Sequence, residues 1–497
     1  MQRDRLGWAS MDRHQGGTVR IDFERGRQIM QMKLRFLGAA QNVTGSRHML
    51  EVNGSRILVD CGLYQERQFR DRNWEPFTVP PDTIDAVFLT HAHLDHCGLL
   101  PKLVKDGFHG KIYCTAATAE IARIILLDSA RLQEEDAEFK RKRHKKEKRQ
   151  GPYPVVPLYT VQDVEACMPL FSPVPYRESI SLGQGLSARL CEAGHVLGSA
   201  IVKVTARQNG ESRSVLFSGD IGRVNRPIVR DPTLVEDADY ILVESTYGDR
   251  VHEGREDVKQ QMAEVINAAQ QAAGNVIVPS FALERSQEVL YYLNELLVED
   301  AIRHLFVFLD SPMAADILKV FQRHQELFDQ ETQDFIREHG SPFTFPGLKV
   351  TSTSDESKAI NQIKGTVMVI AGSGMCTGGR IKHHLANNIS RRESTIMFVG
   401  YQAIGTLGRL IVDGQKEVRI LGQMYPVKAK VVQVHGFSGH ADKIELLAWL
   451  KALKRPPRGV FVVHGESESA RHFGDFLKEQ TGWKVHVPTY QEEVILD

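Results

Sequence analysis

Residues 85–96 read DAVFLTHAHLDH, an apolar run that leads directly into three histidines and an aspartate. A continuous apolar run bounded by polar residues is typical of a buried strand. The chain therefore brings His91, His93, Asp95 and His96 together at the end of one strand.

These four side chains favour a metal site. Imidazole nitrogens and carboxylate oxygens bind zinc at about 2.0–2.2 Å, and a set without thiolates is typical of a catalytic site. Helical zinc sites carry histidines at i and i+4, whereas the spacing i, i+2, i+4 and i+5 favours a loop folded around two neighbouring ions. A polar surface loop is the plain alternative for any single histidine, but four such residues after a buried strand favour metal binding.

The bulk composition indicates a soluble globular protein of more than one domain. The 497 residues exceed what one hydrophobic core usually covers. Apolar residues make up 42% and charged residues 25%, which excludes fibrous and disordered classes. Because 62 basic residues balance 62 acidic ones, any affinity for nucleic acid must come from local patches.

The cysteine pattern and the hydropathy favour a cytoplasmic protein. The six cysteines form no CxxC pair, which argues against a disulfide framework and against a zinc ribbon. No apolar run is long enough to cross a bilayer, so no membrane partner is expected. The start of the chain is charged and lacks the apolar region of a signal peptide.

The order of strands and helices predicts one domain inserted into another. Residues 1–31 precede the first convincing strand and are expected to form a disordered extension. Short strands and turns fill 32–247, whereas helices alternate with apolar strands over 248–427, which predicts a parallel sheet. The first pattern returns over 428–497.

A helix with a strongly basic end is predicted from Thr118 to about Arg149. It begins with apolar residues and ends in FKRKRHKKEKRQ, before glycine and proline stop it. The basic end could attract RNA. Charge runs are common on exposed helices, so a solvated helix end is the favoured interpretation.

The HAHLDH block resembles the signature motif of the metallo-β-lactamase superfamily, and the following CGLLPKL resembles its β-CASP nuclease branch. The other superfamily motifs follow in the same order as in the family. Asp60 lies in LVDCG, His195 in AGHVLGSA and Asp220 in FSGDIG. The resemblance implies an α/β fold, a metallo-β-lactamase αββα sandwich with an inserted β-CASP domain of parallel sheet flanked by helices.

Three further stretches resemble the motifs of the β-CASP branch. Glu244 lies in VESTYGDR, His440 in GFSGHAD and His464 in VVHGE. The resemblance runs from Met32 to the C-terminus and is closest to the group that contains the pre-mRNA 3′-end-processing endonuclease subunit of the cleavage and polyadenylation specificity factor. A histidine at the position of His464 is typical of members that cleave RNA.

The resemblance also implies a ligand set for two metal ions per chain, expected to be zinc, although manganese accepts similar ligands. One ion would be held by His91, His93 and His195, the other by Asp95, His96 and His464. Asp220 would bridge the two ions, and Asp60 would support the site from behind the ligands.

The implied function is metal-dependent hydrolysis of RNA phosphodiester bonds by a metal-bridging hydroxide. His440 would be the general acid, oriented by Glu244, and Asp95 and Asp60 would complete the catalytic set. The resemblance favours an endonuclease in RNA processing or decay, although the same chemistry serves 5′-to-3′ exonucleases. Single-stranded RNA is the expected partner, and a homodimer is compatible with the sequence.

The inserted domain contains candidate phosphate contacts. The residues are Ser373, Gly374 and Met375, with Gly378 and Gly379 predicted to open a helix whose N–H groups could bind an anion. An ordinary turn between a strand and a helix explains the same glycines equally well. Arg285 and Arg409 match positions where relatives carry an arginine facing the RNA backbone, although each alone would be a surface charge.

Other functions stay open at this point. They are a DNA nuclease of the same branch, a hydrolase of small thioesters or lactams, and a catalytically silent RNA-binding scaffold. His464 argues against the first, and the inserted domain would be unexplained by the second. A silent scaffold would have lost metal ligands, whereas this sequence contains every ligand expected.

Overall fold

The computed structural model describes residues 18–19, 32–148, 155–252 and 257–497. The prediction that residues 1–31 are disordered lies outside the described residues, apart from Thr18–Val19, which form a short strand. The proposed helix end at Arg149 also lies outside them. Among the described ranges, no helix is long and apolar enough to cross a membrane.

The first sheet of the sandwich has eight strands, most of which come from the N-terminal part of the chain. Their spatial order is β1 (Thr18–Val19), β23 (Glu493–Leu496), β2 (Met32–Gly38), β3 (Arg47–Val52), β4 (Ser55–Val59), β5 (Ala86–Phe88), β6 (Lys111–Cys114) and β7 (Phe171–Pro173). Strands β4 to β7 pair in parallel, so their carboxyl ends lie at one edge of the sheet.

The second sheet has seven strands and packs face to face on the first. Their spatial order is β22 (Val485–His486), β21 (Gly459–Val463), β12 (Tyr240–Glu244), β11 (Glu211–Phe217), β10 (Ala200–Gln208), β9 (Leu186–Glu192) and β8 (Ser179–Gly183). Apolar side chains of both sheets share one buried cluster, which includes Phe36 and Phe88 from the first and Phe217 and Phe461 from the second.

Helices cover both outer faces of this sandwich. The helices are α1 (Leu94–Cys97), α2 (Leu100–Lys105), α3 (Ala116–Glu147), α4 (Val161–Cys167), α12 (Lys443–Leu450) and α13 (Ser467–Thr481). The first four pack on the first sheet and the last two on the second. The predicted αββα sandwich is therefore confirmed.

The inserted domain is built on a six-stranded sheet in which every pairing is parallel. Its spatial order is β15 (Leu348–Val350), β14 (Phe306–Leu309), β16 (Val367–Ala371), β13 (Val276–Pro279), β17 (Thr395–Phe398) and β20 (Lys430–Gln433). The central strands β13, β16 and β17 are buried along their whole length, as expected of a sheet covered on both faces.

The helices of the inserted domain complete that cover. They are α5 (Val258–Gln271), α6 (Arg285–Val298), α7 (Pro312–Arg323), α8 (Gln330–His339), α9 (Ser354–Ala359), α10 (Ile381–Asn388) and α11 (Leu407–Val412), with a hairpin of β18 (Glu417–Ile420) and β19 (Gln423–Pro426). Short 3-10 turns lie at Arg70–Asn73, Pro81–Thr83, Met168–Leu170, Gln325–Leu327 and Ile360–Gln362.

Three predicted boundaries need correction. The return to the first domain was expected at residue 428, but β20 pairs with β17 and so belongs to the inserted sheet. Helix α10 begins at Ile381 rather than at Gly379. Helix α3 begins at Ala116, because the Thr115 side chain accepts the Thr118 N–H and caps it there.

Candidate active site

The predicted site residues meet at one end of the sandwich. Asp60 follows β4, the HAHLDH loop follows β5, and Asp220 follows β11 by three residues. Glu244 ends β12 and His464 follows β21 directly. Because β4 pairs in parallel with β5, and β12 pairs in parallel with both β11 and β21, their carboxyl ends share an edge in each sheet.

One group of ligand-competent atoms is formed by His91, His93, His195 and Asp220. Nδ1 of His93 lies 3.0 Å from Nε2 of His91 and 3.3 Å from Nε2 of His195. Oδ2 of Asp220 lies 3.5 Å from Nε2 of His91 and 3.6 Å from Nε2 of His195. Three imidazoles and one carboxylate oxygen therefore face a common point.

A second group is formed by Asp95, His96 and His464. The Nε2 atoms of the two histidines lie 3.0 Å apart, and Oδ2 of Asp95 lies 3.6 Å from Nε2 of His464. Oδ1 of Asp220 faces this group, at 3.3 Å from Nε2 of His96 and 3.5 Å from Nδ1 of His464. Asp220 thus directs one oxygen to each group.

Fixed partners orient three of the histidines. The carbonyl of Gly439 accepts a hydrogen bond from Nδ1 of His195 at 2.9 Å, which leaves the lone pair on Nε2. The carboxylate of Asp60 lies 2.7 Å from Nδ1 of His96, and the Thr90 hydroxyl lies 3.1 Å from Nδ1 of His91. Such partners on the remote nitrogen are usual for histidines that bind metal.

The donor set fits divalent metal ions. Four ligand atoms about 2.0–2.2 Å from a tetrahedral ion lie roughly 3.3–3.6 Å apart, close to the 3.0–3.6 Å spacings of the first group. Oδ1 of Asp220 is buried without a hydrogen-bond partner, although buried carboxylate oxygens usually have one. Burial lowers the pKa of His93 to about 4, which keeps the imidazole in its neutral, ligand-competent form.

His440 lies beside both groups without joining either. Its Nδ1 lies 3.1 Å from both carboxylate oxygens of Glu244, and its ring centre lies 4.5 Å from that of His195. Burial alone would lower the pKa of His440, but the Glu244 carboxylate raises it to about 9. The side chain keeps 20% of its surface exposed. His440 is therefore a solvent-reachable imidazole next to the ligand groups, and the Glu244 carboxylate favours its protonated form.

Glu244 is itself fixed in place. It is fully buried, and its Oε1 accepts a hydrogen bond of 2.6 Å from the N–H of Ile221, the residue after Asp220. The carboxylate that orients His440 is thus tied to the loop that carries the shared carboxylate.

Glu284 was not anticipated from the sequence. It lies in the inserted domain, is buried, and accepts a hydrogen bond of 2.9 Å from the N–H of Leu197, in the loop that carries His195. Its backbone has a φ of 64°, an unfavourable value for a residue with a side chain. Glu284 is recognised only from its contact across the domain boundary. The sequence around it contains no motif that would have predicted this role.

Glu284→Ala is expected to lower the free energy of unfolding by about 1–3 kcal/mol, since it leaves the buried Leu197 N–H without an acceptor. Glu284→Gln should retain most of the stability, because burial raises the pKa of Glu284 to about 7 and a neutral amide oxygen can still accept. Urea denaturation monitored by circular dichroism measures both values. Equal losses in the two variants would contradict the proposed hydrogen bond.

The two predicted RNA-contacting arginines differ in their surroundings. Arg285 has only 13% of its side chain exposed, pairs with Glu288 and packs over the Phe437 ring. This burial favours a role in the contact between domains. Arg409 is 38% exposed and pairs with Asp413. The phosphate contact stays a prediction for both.

The predicted phosphate loop follows β16. The Ser373 hydroxyl accepts the N–H groups of Thr377 and Gly378, at 3.1 and 3.3 Å, so two of the backbone donors already have an acceptor. Gly379 has a φ of 76° and precedes α10 by two residues. Gly374 lies against the Phe281 ring, and the Met375 sulfur accepts the Ala403 N–H. Phosphate binding here stays a prediction.

Comparison with known proteins agrees with this architecture. Family models match a metallo-β-lactamase superfamily domain at residues 49–221, a β-CASP domain at 286–411, and a Zn-dependent metallo-hydrolase RNA specificity domain at 424–488. A solved structure of a protein of unknown function from Enterococcus faecalis superposes with a TM-score of 0.54 at 12% identity, over 94% of this chain and all of that one. That likeness concerns the fold alone.

Curated relatives resemble nearly the whole chain. A ribonuclease from Thermus thermophilus is 38% identical over 93% of this chain and 100% of its own length. The transcription termination factor FttA of Methanocaldococcus jannaschii is 29% identical over 92% of this chain and 70% of that protein. An RNase J-like protein of the same organism is 27% identical over 92% and 97%. The chain therefore belongs to the β-CASP family of RNA nucleases within the metallo-β-lactamase superfamily.

Proposed function

We propose that this protein is a two-metal, zinc-dependent ribonuclease that hydrolyses phosphodiester bonds of single-stranded RNA in RNA processing or decay. The observation that carries the proposal is Asp220, whose two oxygens face two separate groups of ligand-competent side chains. A carboxylate in that arrangement suits two neighbouring ions better than one.

The first ion would be held by His91, His93 and His195, the second by Asp95, His96 and His464, and Asp220 would be shared. When bound, such a pair supplies Lewis-acid activation of the phosphate and of the attacking water. Manganese is the alternative metal, because histidine and carboxylate ligands also accept it.

The chain's own residues supply the proton transfer. His440 keeps Nε2 available because Glu244 occupies Nδ1, so His440 can donate a proton to the departing ribose oxygen. The negative charge of Glu244 favours the protonated form of His440 before the transfer. The expected products carry a 5′-phosphate and a 3′-hydroxyl.

RNA is favoured as substrate by the match to an RNA specificity domain and by the relatives' names. Single strands are favoured by two exposed rings, Phe281 and Tyr401, which follow the neighbouring strands β13 and β17 of the inserted sheet. Exposed aromatic rings stack on unpaired bases. Endonucleolytic cleavage is the proposed mode, and 5′-to-3′ exonucleolytic action is the second candidate.

The decisive experiment combines elemental analysis with a cleavage assay on RNA and DNA of matched sequence. We expect two zinc ions per chain and cleavage of the RNA only. Preferential DNA cleavage would overturn the substrate assignment. A metal-free protein that binds RNA without cleaving it would support a silent scaffold instead.

Arg409→Gln is expected to weaken RNA binding and to lower the slope of log K against log salt by about 0.7, the value for one phosphate contact on a single strand. Metal content should not change. Arg391→Gln is a matched control, since Arg391 is a similarly exposed arginine paired with Glu393 in the same domain. An unchanged salt slope in both Arg409→Gln and Arg285→Gln would show that neither arginine contacts an RNA phosphate.

A further inference from the structure

Helix α3 runs from the active site into solvent. It has 32 residues and is therefore about 48 Å long at about 1.5 Å per residue. At its start, the hydroxyls of Thr115 and Thr118 both donate to the carbonyl of Gly198 at 2.8 Å, in the loop that carries His195. Its buried side chains end at Ala130, apart from Ala137.

The outer part of the helix is exposed, and its last residues are strongly basic. Residues 140–148, hereafter the basic helix end, contain seven lysines and arginines and a single glutamate. All seven are exposed, as is Phe139 at 66%. Because the whole chain has no net charge, the positive potential of this segment is a local feature of the surface and does not reflect an overall positive charge.

Ion pairs within the helix account for only part of this charge. Lys140 pairs with Asp136, Lys142 with Glu138 and Arg143 with Glu147, each across one helical turn. Such pairs, and cations near the helix C-terminus, stabilise an exposed helix. Within the described parts of the chain, no salt bridge is made by Lys145, Lys146 or Lys148. These three lysines leave charge available for a partner.

The distance to the active site limits the partner. From Thr118 to Lys145 the helix rises about 40 Å at about 1.5 Å per residue. A ligand that occupies both the active site and the basic helix end must therefore be a long polyanion. Phe139 is the only large apolar side chain over 138–148. Protein interfaces usually have an apolar core, so this segment is poorly suited to bind a protein partner.

We propose that the basic helix end is a second RNA-binding surface, which holds the phosphate backbone of a long substrate outside the catalytic cleft without reading its sequence. The inference rests on the proposed function, because it takes RNA as the substrate. It assigns to this segment the recruitment of substrate and no part in the chemical step.

The test is the combined variant Lys145→Gln, Lys146→Gln and Lys148→Gln in the full-length zinc-loaded protein. Glutamine preserves helix propensity and removes charge. The matched control changes Lys364, Lys416 and Lys451 to glutamine, three exposed lysines elsewhere that lose the same charge. Each protein is assayed for kcat and KM over a range of salt concentrations, on a long unstructured RNA and on a short oligonucleotide that fills only the cleft.

We expect the variant to show a raised KM and an unchanged kcat on the long RNA. Its salt slope for kcat/KM should fall by about 2, or about 0.7 for each of three lost contacts. The short oligonucleotide and the control variant should show no change. Fluorescence anisotropy with the long RNA should give the same difference in slope without depending on cleavage.

The outcomes separate this inference from the proposed function. A salt slope equal to that of the control on the long RNA overturns the inference while leaving the proposed function intact. Absence of RNA cleavage by the unsubstituted protein overturns the proposed function, and the anisotropy measurement still tests the basic helix end. A variant that loses binding to an acidic polypeptide but keeps its RNA slope would assign the surface to a protein partner and overturn the inference.

Discussion

Asp220→Ala is expected to remove or disorder the metals of both groups and to abolish RNA cleavage. The physical reason is that one carboxylate serves both groups, with Oδ2 near His91 and His195 and Oδ1 near His96 and His464. Removing it also leaves buried imidazoles without the negative charge that compensates a divalent ion. Elemental analysis and an RNA cleavage assay measure the two effects.

Two further variants sharpen this experiment. His464→Ala removes a ligand of the second group only, so it is expected to lower the metal content by about one ion per chain. Asp316→Ala is the matched control, because Asp316 is an exposed aspartate paired with Lys319 in the inserted domain. Two metals per chain in an active Asp220→Ala protein would show that Asp220 is not the shared ligand.

The sequence predicted the ligand positions through two different kinds of signal. The HAHLDH block is a local pattern, in which spacing and a preceding buried strand indicate metal binding without further information. His195, Asp220 and His464 are far apart in the chain, and each alone is an ordinary polar residue. Their assignment depended on the order of family motifs. The structure adds that the loops after β9, β11 and β21 bring them within a few ångströms of one another.

Contacts between the domains could not be predicted in this way. The Leu197 N–H bond to Glu284 and the His195 bond to the Gly439 carbonyl join residues far apart in sequence. The first depends on how the inserted domain packs on the sandwich, and the second on the path by which the chain returns from that domain. No local pattern records either. Arg285 illustrates the same difficulty, since an arginine is exposed by default, and its packing over the distant Phe437 ring appears only in three dimensions.

The misplaced boundary at residue 428 has a related cause. Strand β20 is a short strand, and its sequence does not distinguish an edge strand of a parallel sheet from a strand of the sandwich. Its pairing with β17 assigns it to the inserted sheet. This correction has a functional meaning, because the chain runs from β20 of the inserted sheet directly to His440. The proposed general acid is therefore positioned by both domains.

The remaining prediction concerns His440, the proposed general acid. His440→Ala is expected to keep both metals and the RNA affinity, because His440 belongs to neither ligand group. The cleavage rate should fall by about 10²–10⁴, the usual range for the loss of a general acid. Rate measurements under single-turnover conditions, together with elemental analysis and RNA binding, separate these effects.

A substrate with a better leaving group distinguishes proton donation from a structural defect. Its transition state needs less protonation, so the His440→Ala protein should recover much of its rate on that substrate, whereas the unsubstituted protein should gain little. Glu244→Gln should show a milder form of the same pattern, because it removes the charge that favours protonated His440 and leaves the imidazole in place. Loss of a metal ion from His440→Ala, or equal rate losses on both substrates, would assign His440 to the support of the site instead of the proton transfer.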